Sequence, residues 1–514
     1  MGTRAYVVTP AEMRCWEEAQ FAKGVSAEVL MESVGAQLWG NLQNLVTGVA
    51  SPHCVILAGS GNNGGDALVL ARYAVTAGWR VTVIDFGKRR SGLCALVSDR
   101  LEQTAAGTVM WARYSAQDVN DVLTVLATAD IVVEGISGIG YRGVPDGEVL
   151  RWVTAVNEWR LRKGGTVAAI DVPVGVDAEC GAADGAALRA DVTWMVGWPK
   201  RGLYWYPACA YAGKKVRIPL GLAPSDWQTQ LAVPGIPELV RPQRRGDAHK
   251  GTQGHVAILA GSEGMEGAAL LAAQAALHSG AGKVTLWVPG AVRARLAALV
   301  PEVMVRGVGK TGTWDASMCP DRDFDDYDAL VIGCGIGRSP YTQAWVGEVL
   351  AQWQGPTVID ADGLFALAQR SVIRHASSWI LTPHAGELAR LAGSADVGGE
   401  RERWERSGQV AAAYEAVVVA KGAPTVTVLP SGARYVNTTG NPGLATAGTG
   451  DTLAGIIGGL LAQGLTPTQA AVSGVYWHGA AADMLAAGGY GFTAGMVARA
   501  LPGVMGKGAT DASN

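Results

Sequence analysis

Cysteine is scarce in this chain and poorly spaced for chemistry. The seven cysteines (15, 54, 94, 180, 209, 319 and 334) form no C-x-x-C pair and make an odd total. That excludes a zinc knuckle, argues against a disulfide framework and leads us to expect reduced thiols in a cytosol. Apolar runs of membrane-spanning length are absent, and MGTRAYVVTPAEM has polar and acidic residues where a signal peptide needs an apolar core. Basic tracts are missing too. Lys+Arg of 42 against Asp+Glu of 45 gives a formal net charge of −3, which offers nothing to nucleic acid or to an acidic membrane surface. No repeat of solenoid period is present. A cytoplasmic protein acting on small molecules, with no nucleic-acid or membrane partner, is the expectation.

What the chain has is glycine and alternation. A length of 514 residues, 49% of them hydrophobic, with 70 glycines, suits a core-rich α/β enzyme of more than one domain. Short β-branched runs at 55–58, 80–85, 109–111, 131–134, 167–171, 192–196 and 215–218 alternate with helical stretches such as 68–77 and 148–163. A further helical stretch, residues 10 to about 45, opens at Thr9 as N-cap with Pro10 at the first helical position. The pattern restarts with HVAILAGS at 255–262 and continues through 283–289, 329–337, 356–364, 378–388, 415–422 and 424–430. Between the halves, residues 219–246 are punctuated by proline at 219, 224, 234, 237 and 242 and keep no period. Two α/β domains with a junction near residue 230 are therefore expected.

Three loops of the first half should meet at one sheet edge. GSGNNGGDALVLARYA (59–74) places Asn62, Asn63, Gly64, Gly65 and Asp66 between a strand and a helix. Glycines there let backbone N–H groups approach an anion, and the helix N-terminus adds its partial positive charge. A capped turn with Asp66 as cap is the plainer alternative, but the polar groups exceed what a cap needs. The motif is neither G-x-G-x-x-G nor a Walker A sequence. EGISGIGYRG (134–143) and IDVPVGVDA (170–178) each follow an apolar strand with a carboxylate, Glu134 and Asp171. Three such loops make a pocket in which Asp171 is suited to proton transfer.

In the second half, NTTGNPGLATAGTGDTLAGIIGGLLAQG (437–464) sets Gly450 and Asp451 at the start of a long helix. Unpaired N–H groups there form an anion hole for a transferring phosphoryl group. A carboxylate at that mouth repels phosphate unless it accepts a proton from the attacking hydroxyl, although complementing the helix dipole is the simpler role.

These blocks carry a resemblance. NNGGD, E-G-I-S-G-I-G-Y-R-G, DVPVGVD and WPKRGLYWYPACAYAGKKVRIPLG (198–221) resemble the NAD(P)H-hydrate epimerases over residues 1–221. That implies a Rossmann-like parallel-sheet domain that interconverts the R and S hydrates of NADH and NADPH and holds potassium. By matching position, Asn62, Asn63, Gly64, Gly65, Asp66, Gly138, Ile139, Gly140, Tyr141, Arg142, Gly143, Val144 and Asp171 would contact the hydrate, with Asp171 the acid–base residue. Asn63, Glu134 and Val174 would surround potassium. Glu134 stands where the family has Asp, Val174 where it has Ser, and Ala67 where it has Gly. Val174 offers a cation only its backbone carbonyl.

Residues 241–508, past a linker at 222–240, are similar to the NAD(P)H-hydrate dehydratases, which have a ribokinase-like α/β fold. HKGTQGHVAILAGS (249–262), IGCGIG (332–337), IDADGL (359–364), LTPHAGELARL (381–391), VVAKGAPTVT (418–427) and the G-T-G-D turn carry the likeness. It implies that Ala268, Gly335, His384 and Asp451 contact the hydrate. Lys421, Gly422, Ala423, Pro424, Thr425 and Gly450 would contact ADP or ATP, with Mg2+ on the phosphates and Asp451 as general base. Cys334 replaces a proline common in the family. The resemblance thus implies a bifunctional repair enzyme, a lyase and isomerase joined in one chain, and a homo-oligomer. Two alternatives stay open: a small-molecule kinase of the ribokinase superfamily with an accessory domain, and a dehydratase whose N-terminal domain is a non-catalytic scaffold.

Overall fold

In the computed structural model, which describes residues 5–87, 90, 92–104, 109–113, 119–223, 231–234, 238–315, 326–369, 378–396 and 398–506, Thr9 opens the first helix. Its hydroxyl accepts the Glu12 N–H at 3.0 Å while the Glu12 carboxylate accepts the Thr9 N–H at 2.8 Å, a reciprocal capping box. The helical stretch expected over 10–45 is two helices, Pro10–Ala22 and Ala27–Leu45. Gly24 turns the chain with a φ of 90°, and Ser26 caps the second helix.

Tyr6–Thr229 folds as one compact unit, and Gln230–Asn514 with Met1–Ala5 as the other. Residues 224–230, where the sequence places the junction, lie outside the described ones. The first unit is built on a wholly parallel sheet in the order Val109–Arg113, Arg80–Asp85, His53–Ala58, Ile131–Gly135, Thr166–Ile170, Val192–Val196, Lys214–Ile218. Every residue of His53–Ala58 is buried. Cys54, Ile56 and Ala58 share a core with Leu38, Leu42, Leu68 and Leu70, whereas Val55 and Leu57 pack with Trp152, Val153 and Val156. Helices on both faces explain why the strand reads as a continuous apolar run. The winding reverses between His53–Ala58 and Ile131–Gly135, so a crevice is expected at their carboxyl ends.

The second sheet runs Met304–Val308, Lys283–Pro289, His255–Leu259, Ala329–Ile332, Thr357–Ile359, Trp379–Leu381, Val417–Ala420, all parallel. It continues through Val426–Val428 and Arg434–Val436, each antiparallel to its predecessor, and then Leu231–Val233. That last strand falls inside the segment read as linker (222–240). Its three residues are too few to display a period, and its pairing, as with Arg434–Val436, defines it. Among the described residues no helix is long and apolar enough to cross a membrane.

The helix Thr449–Ala462 begins two residues earlier than the Asp451 start read from the sequence. Its glycines are there for contact. A Cβ on Gly455 would lie 2.1 Å from the Ala272 carbonyl of the alanine-rich helix Glu266–His278, and one on Gly458 would lie 2.2 Å from Val331 Cγ2 of the sheet. The helix is thereby wedged between neighbours with no room for side chains, which fixes where its N-terminus points. Ordinarily Gly→Ala inside a helix stabilises by about 0.5–1 kcal/mol. Gly455→Ala is expected instead to destabilise by about 1–3 kcal/mol through overpacking, read as a lower urea midpoint for the C-terminal unit.

Two candidate active sites

The first site forms where adjacent strands of the N-terminal sheet end. Gly59 follows His53–Ala58, and a Cβ on it would sit 1.9 Å from the Ile136 carbonyl; one on Gly64 would sit 2.0 Å from the Gly59 carbonyl. Three backbone segments therefore touch with nothing between them. Asn62 to Asp66 is not the loop that its composition suggests. It is the opening of the helix Asn62–Thr76, with Gly61 at the N-cap making no side-chain bond. Asp66 is consequently an interior helical residue and not a cap. It is 7% exposed, and burial, then the nearby negative charges of Asp171 and Glu17, push its carboxyl well above the usual carboxylate range.

Asp171, just past Thr166–Ile170, adopts a left-handed backbone with φ of 67°. A non-glycine residue held there is strained, and such strain collects at functional sites. Its Oδ1 is 2.5 Å from the ammonium of Lys200, whose side chain is 1% exposed and which also donates to the Val196 carbonyl. Gly138 lies directly against this carboxylate, since a Cβ there would be 2.8 Å from Asp171 Oδ2. Lys200 lies in the WPK stretch but was not singled out from the sequence. Its pairing joins residues 29 apart across two strands, and the P-K dipeptide alone does not announce it.

Asn63 donates from Nδ2 to the carbonyls of Ser137 at 2.8 Å and Ile170 at 2.9 Å, tying the loops together. Glu134 is fully buried, its Oε1 accepting from the Ile136 N–H at 2.7 Å and its Oε2 from the Val174 N–H at 3.1 Å. No described lysine or arginine pairs with it, and burial pushes its carboxyl up to about 8 despite those bonds. Val174 gives its N–H to Glu134 and its carbonyl to the Leu188 N–H at 3.0 Å, so it does not turn an oxygen toward Asn63. Glu134 is thus a buried carboxyl with no described cationic partner, and a bound monovalent cation would supply the missing charge. The remaining expected contacts are more open. Arg142 pairs with Asp177 at 3.0 Å near the surface, Gly140 and Gly143 are exposed, Val144 is 57% exposed, Ile139 packs toward Trp198, and Tyr141 packs against the core that holds Trp152 and Val153.

The second site repeats this plan on the other sheet. A Cβ on Gly335 would lie 3.0 Å from Ala268 Cβ, and the Gly335 carbonyl accepts from Ser262 Oγ at 2.9 Å. Asp360, after Thr357–Ile359, binds Lys421 Nζ at 2.8 Å, and Glu387 Oε2 lies 4.0 Å from the same ammonium. Gly450 closes the ring, with its Cβ direction 3.3 Å from Lys421 Nζ and 3.8 Å from Asp360 Oδ2. Ala268, Gly335, His384, Lys421, Gly450 and Asp451 are thus gathered around strand ends that are neighbours in the sheet, and Gly422 to Thr425 form the turn that leaves Val417–Ala420. Asp360 and Glu387 join them as charged groups that composition alone did not pick out.

Asp451 is the third residue of its helix, beside Cys334, Asp360 and Lys421. Burial, with the Asp360 charge adding to it, raises its carboxyl to about 6, while a hydrogen bond with Cys334 and the Lys421 charge oppose the rise. Glu387 is raised to about 7, again chiefly by burial. The thiol of Cys334 is fully buried and pushed well above its ordinary range, so it is unreactive. His384 is a helix cap. Its Nδ1 accepts from the Gly386 N–H at 3.1 Å and the Glu387 N–H at 3.4 Å, while Glu387 accepts the His384 N–H at 2.9 Å. Burial lowers its pKa, so the ring is neutral with its proton on Nε2, 3.3 Å from Glu387 Oε1. Its side chain remains 59% exposed and free to meet a ligand as well.

Two known families match the chain. Residues 27–202 match that described as YjeF-related protein N-terminus, and residues 256–502 that described as NAD(P)H-hydrate dehydratase. The bifunctional NAD(P)H-hydrate repair enzyme Nnr of Moorella thermoacetica is 35% identical over 497 residues, covering 93% of this chain and 92% of its own length. The enzyme of the same name from Coxiella burnetii is 34% identical over 487 residues, covering 92% and 94%. Among solved structures, the ADP/ATP-dependent NAD(P)H-hydrate dehydratase from Bacillus subtilis, co-crystallized with ATP/Mg2+, is 35% identical. That match covers 51% of this chain and 92% of that one, with a TM-score of 0.46.

The two ion pairs of the first site should differ sharply in energetic weight. Lys200→Met leaves Asp171 buried and unpaired and is expected to destabilise the N-terminal unit by about 3 kcal/mol or more. Arg142→Ala removes a half-exposed pair and is expected to change stability by less than about 1 kcal/mol. Guanidinium unfolding of both variants compares the two directly.

Proposed function

Because the chain belongs to the bifunctional NAD(P)H-hydrate repair enzymes, we propose that its two sites act in succession on hydrated NADH and NADPH. The N-terminal site epimerises the R and S hydrates, and the C-terminal site dehydrates the S form at the expense of ADP or ATP. What carries the assignment is Asp451. It is a carboxyl raised to about 6 at the N-terminus of a wedged helix, beside the Lys421–Asp360 pair.

In the C-terminal site the hydroxyl of the hydrated ring attacks the terminal phosphorus of the nucleotide. Its O–H bond breaks toward Asp451, an O–P bond forms, and the bridging P–O bond of the nucleotide breaks. Inorganic phosphate then leaves the ring carbon while a proton is lost from the adjacent carbon, and NADH or NADPH results. Lys421 and the N–H groups beginning at Gly450 receive the phosphate oxygens, and Gly422 to Thr425 line the nucleotide. Ala268, Gly335 and His384 would border the hydrate. Magnesium, bound to the phosphates, would supply charge neutralisation there. Among the described residues no three metal-binding side chains are grouped to hold an ion alone, so it is proposed to arrive with the nucleotide, near Asp360 and Glu387.

In the N-terminal site, Asn62 to Asp66 and Gly138 to Val144 are proposed to hold the hydrate, with Asp171 as the acid–base group oriented by Lys200. Potassium is proposed beside Asn63 and Glu134, where it would keep the buried carboxylate ionised. Val174 contributes no side-chain oxygen to that site. A cytoplasmic location and a homo-oligomeric assembly complete the proposal, on the strength of the scattered cysteines and of the family resemblance.

The test follows nicotinamide absorbance at 340 nm during turnover of mixed R and S hydrates with ADP or ATP, Mg2+ and K+. The parent should recover both epimers. Asp451→Asn should lower the dehydration rate by about 10²–10⁴-fold, the usual contribution of a general base, and Asp171→Asn should stop recovery after the S fraction. A parent that itself stops after the S fraction would make the N-terminal unit a scaffold, and accumulation of a stable phosphorylated product would make the C-terminal unit an ordinary kinase. The base must be ionised to act, and a carboxyl is ionised above its pKa. Dehydratase kcat/KM is therefore expected to fall as pH drops through about 6, since that parameter titrates the free enzyme.

A further inference from the structure

Arg403 lies outside both sites and is used by no step above, yet the two terminal nitrogens of its buried guanidinium donate four hydrogen bonds. It projects from the first turn of the helix Glu400–Ala413 and is 4% exposed. Its Nη1 donates to the carbonyls of Ala420 at 2.9 Å and Lys421 at 3.1 Å, and its Nη2 donates to the carbonyl of Pro424 at 2.8 Å and to the Glu400 carboxylate. Gly422 rests on the guanidinium itself, for a Cβ there would lie 2.4 Å from Nη1 and 2.5 Å from Cζ. One planar cation thus gathers carbonyls from both ends of the turn 421–425.

From this geometry we propose that Arg403, oriented by Glu400, is a positioning residue for the nucleotide phosphates; the proposal rests on the reading of residues 421–425 as the nucleotide loop. Across a trans peptide bond the carbonyl and the following N–H point in opposite directions. Drawing the Lys421 and Pro424 carbonyls down onto Arg403 therefore turns the N–H groups of Gly422 and Thr425 the other way. Gly422 and Ala423 are exposed on that outer side. The Gly422 N–H is held within the loop only by a long 3.4 Å bond to Thr425 Oγ1, which a phosphate oxygen can replace. The ammonium of Lys421, the first residue of the turn, lies against Gly450 at the N-terminus of the helix Thr449–Ala462, 3.3 Å from that glycine's Cβ direction. Lysine cannot substitute, because a single ammonium lacks the planar fork that reaches these separated carbonyls and the carboxylate at once.

The experiment uses the full chain with Arg403→Lys and Glu400→Gln. Calorimetric titration with ADP·Mg2+ and ATP·Mg2+ is followed by steady-state dehydration of the S hydrate, with R-to-S epimerisation by the same samples reporting an intact N-terminal unit. Arg403→Lys should raise the nucleotide Kd and KM by about tenfold or more, the loss of at least one hydrogen bond from a charged donor. The KM for the hydrate and kcat at saturating nucleotide should stay within about threefold, because the loop binds phosphate and does not touch the ring. A lowered kcat with unchanged nucleotide KM, or a Kd equal to that of the parent, would overturn the role of Arg403. Should the lysine variant lose its thermal transition, Glu400→Gln decides: a raised nucleotide KM supports the proposal and an unchanged one sinks it. If the parent binds neither nucleotide, the fault lies with the nucleotide loop reading itself.

Discussion

Bare backbone contact is the constraint on which both sites depend. At Gly59, Gly64 and Gly455 a single methyl group would overlap a carbonyl oxygen at about 2 Å or less, the closest being 1.9 Å from Gly59 to Ile136. Such packing leaves no freedom to slide one element past another. In the N-terminal unit it locks the start of the helix Asn62–Thr76 against the strand end that follows Glu134. In the C-terminal unit it presses Thr449–Ala462 between helix and sheet so that its unpaired N–H groups reach the strand ends. The chemistry is then positioned by packing among apolar neighbours, and the polar side chains need only project from a scaffold that is already fixed.

On that scaffold the two units arrive at the same electrostatic device. Each sets an aspartate just past a parallel strand against a lysine from a nearby strand end: Asp171 with Lys200, and Asp360 with Lys421. Parallel strands make this recur, because every strand delivers its following loop to the same edge. What surrounds the pair then separates the roles. Around Asp171 the companions Asp66 and Glu17 are both carboxyls held above their ordinary range by burial, which suits proton exchange with a neutral hydroxyl. Around Asp360 the companions are a helix N-terminus and a glycine turn, which suit phosphate.

The α/β class, the places of most strands along the chain and the gathering of loops into two pockets were legible in the sequence, because buried parallel strands write themselves as apolar runs ending in small residues. Boundaries were legible only to within a few residues. NNGGD reads as a loop, yet it is helical: its helix earns its stability from burial of Leu68, Val69 and Leu70 against the sheet and not from the propensity of its first turn. Leu231–Val233 was hidden because its signature is pairing with strands some two hundred residues away in sequence. Lys200, Asp360 and Arg403 were hidden for a related reason. Each is a common residue type whose meaning comes from partners distant in sequence, with 17 to 61 residues separating the paired atoms. Val174 was expected to matter through its carbonyl, whereas the Leu188 N–H takes that carbonyl and the Val174 N–H serves Glu134.

The location of Asp451 looks self-defeating, since a carboxylate at a helix N-terminus competes with the phosphate for the same positive potential. Burial resolves the conflict. With its carboxyl raised to about 6, Asp451 is ionised at neutral pH yet far more basic than an exposed aspartate, and a general base is most effective when its pKa is near the working pH. The neighbouring Asp360 adds to the rise and Lys421 restrains it, so the same pair that prepares the phosphate side also tunes the base. In the proposed transfer the proton moves to Asp451, which is then neutral and no longer repels the transferred phosphoryl group. On that proposal the carboxyl opposes phosphate binding only until the step assigned to it, after which the helix N-terminus would hold the charge that develops on the phosphoryl oxygens.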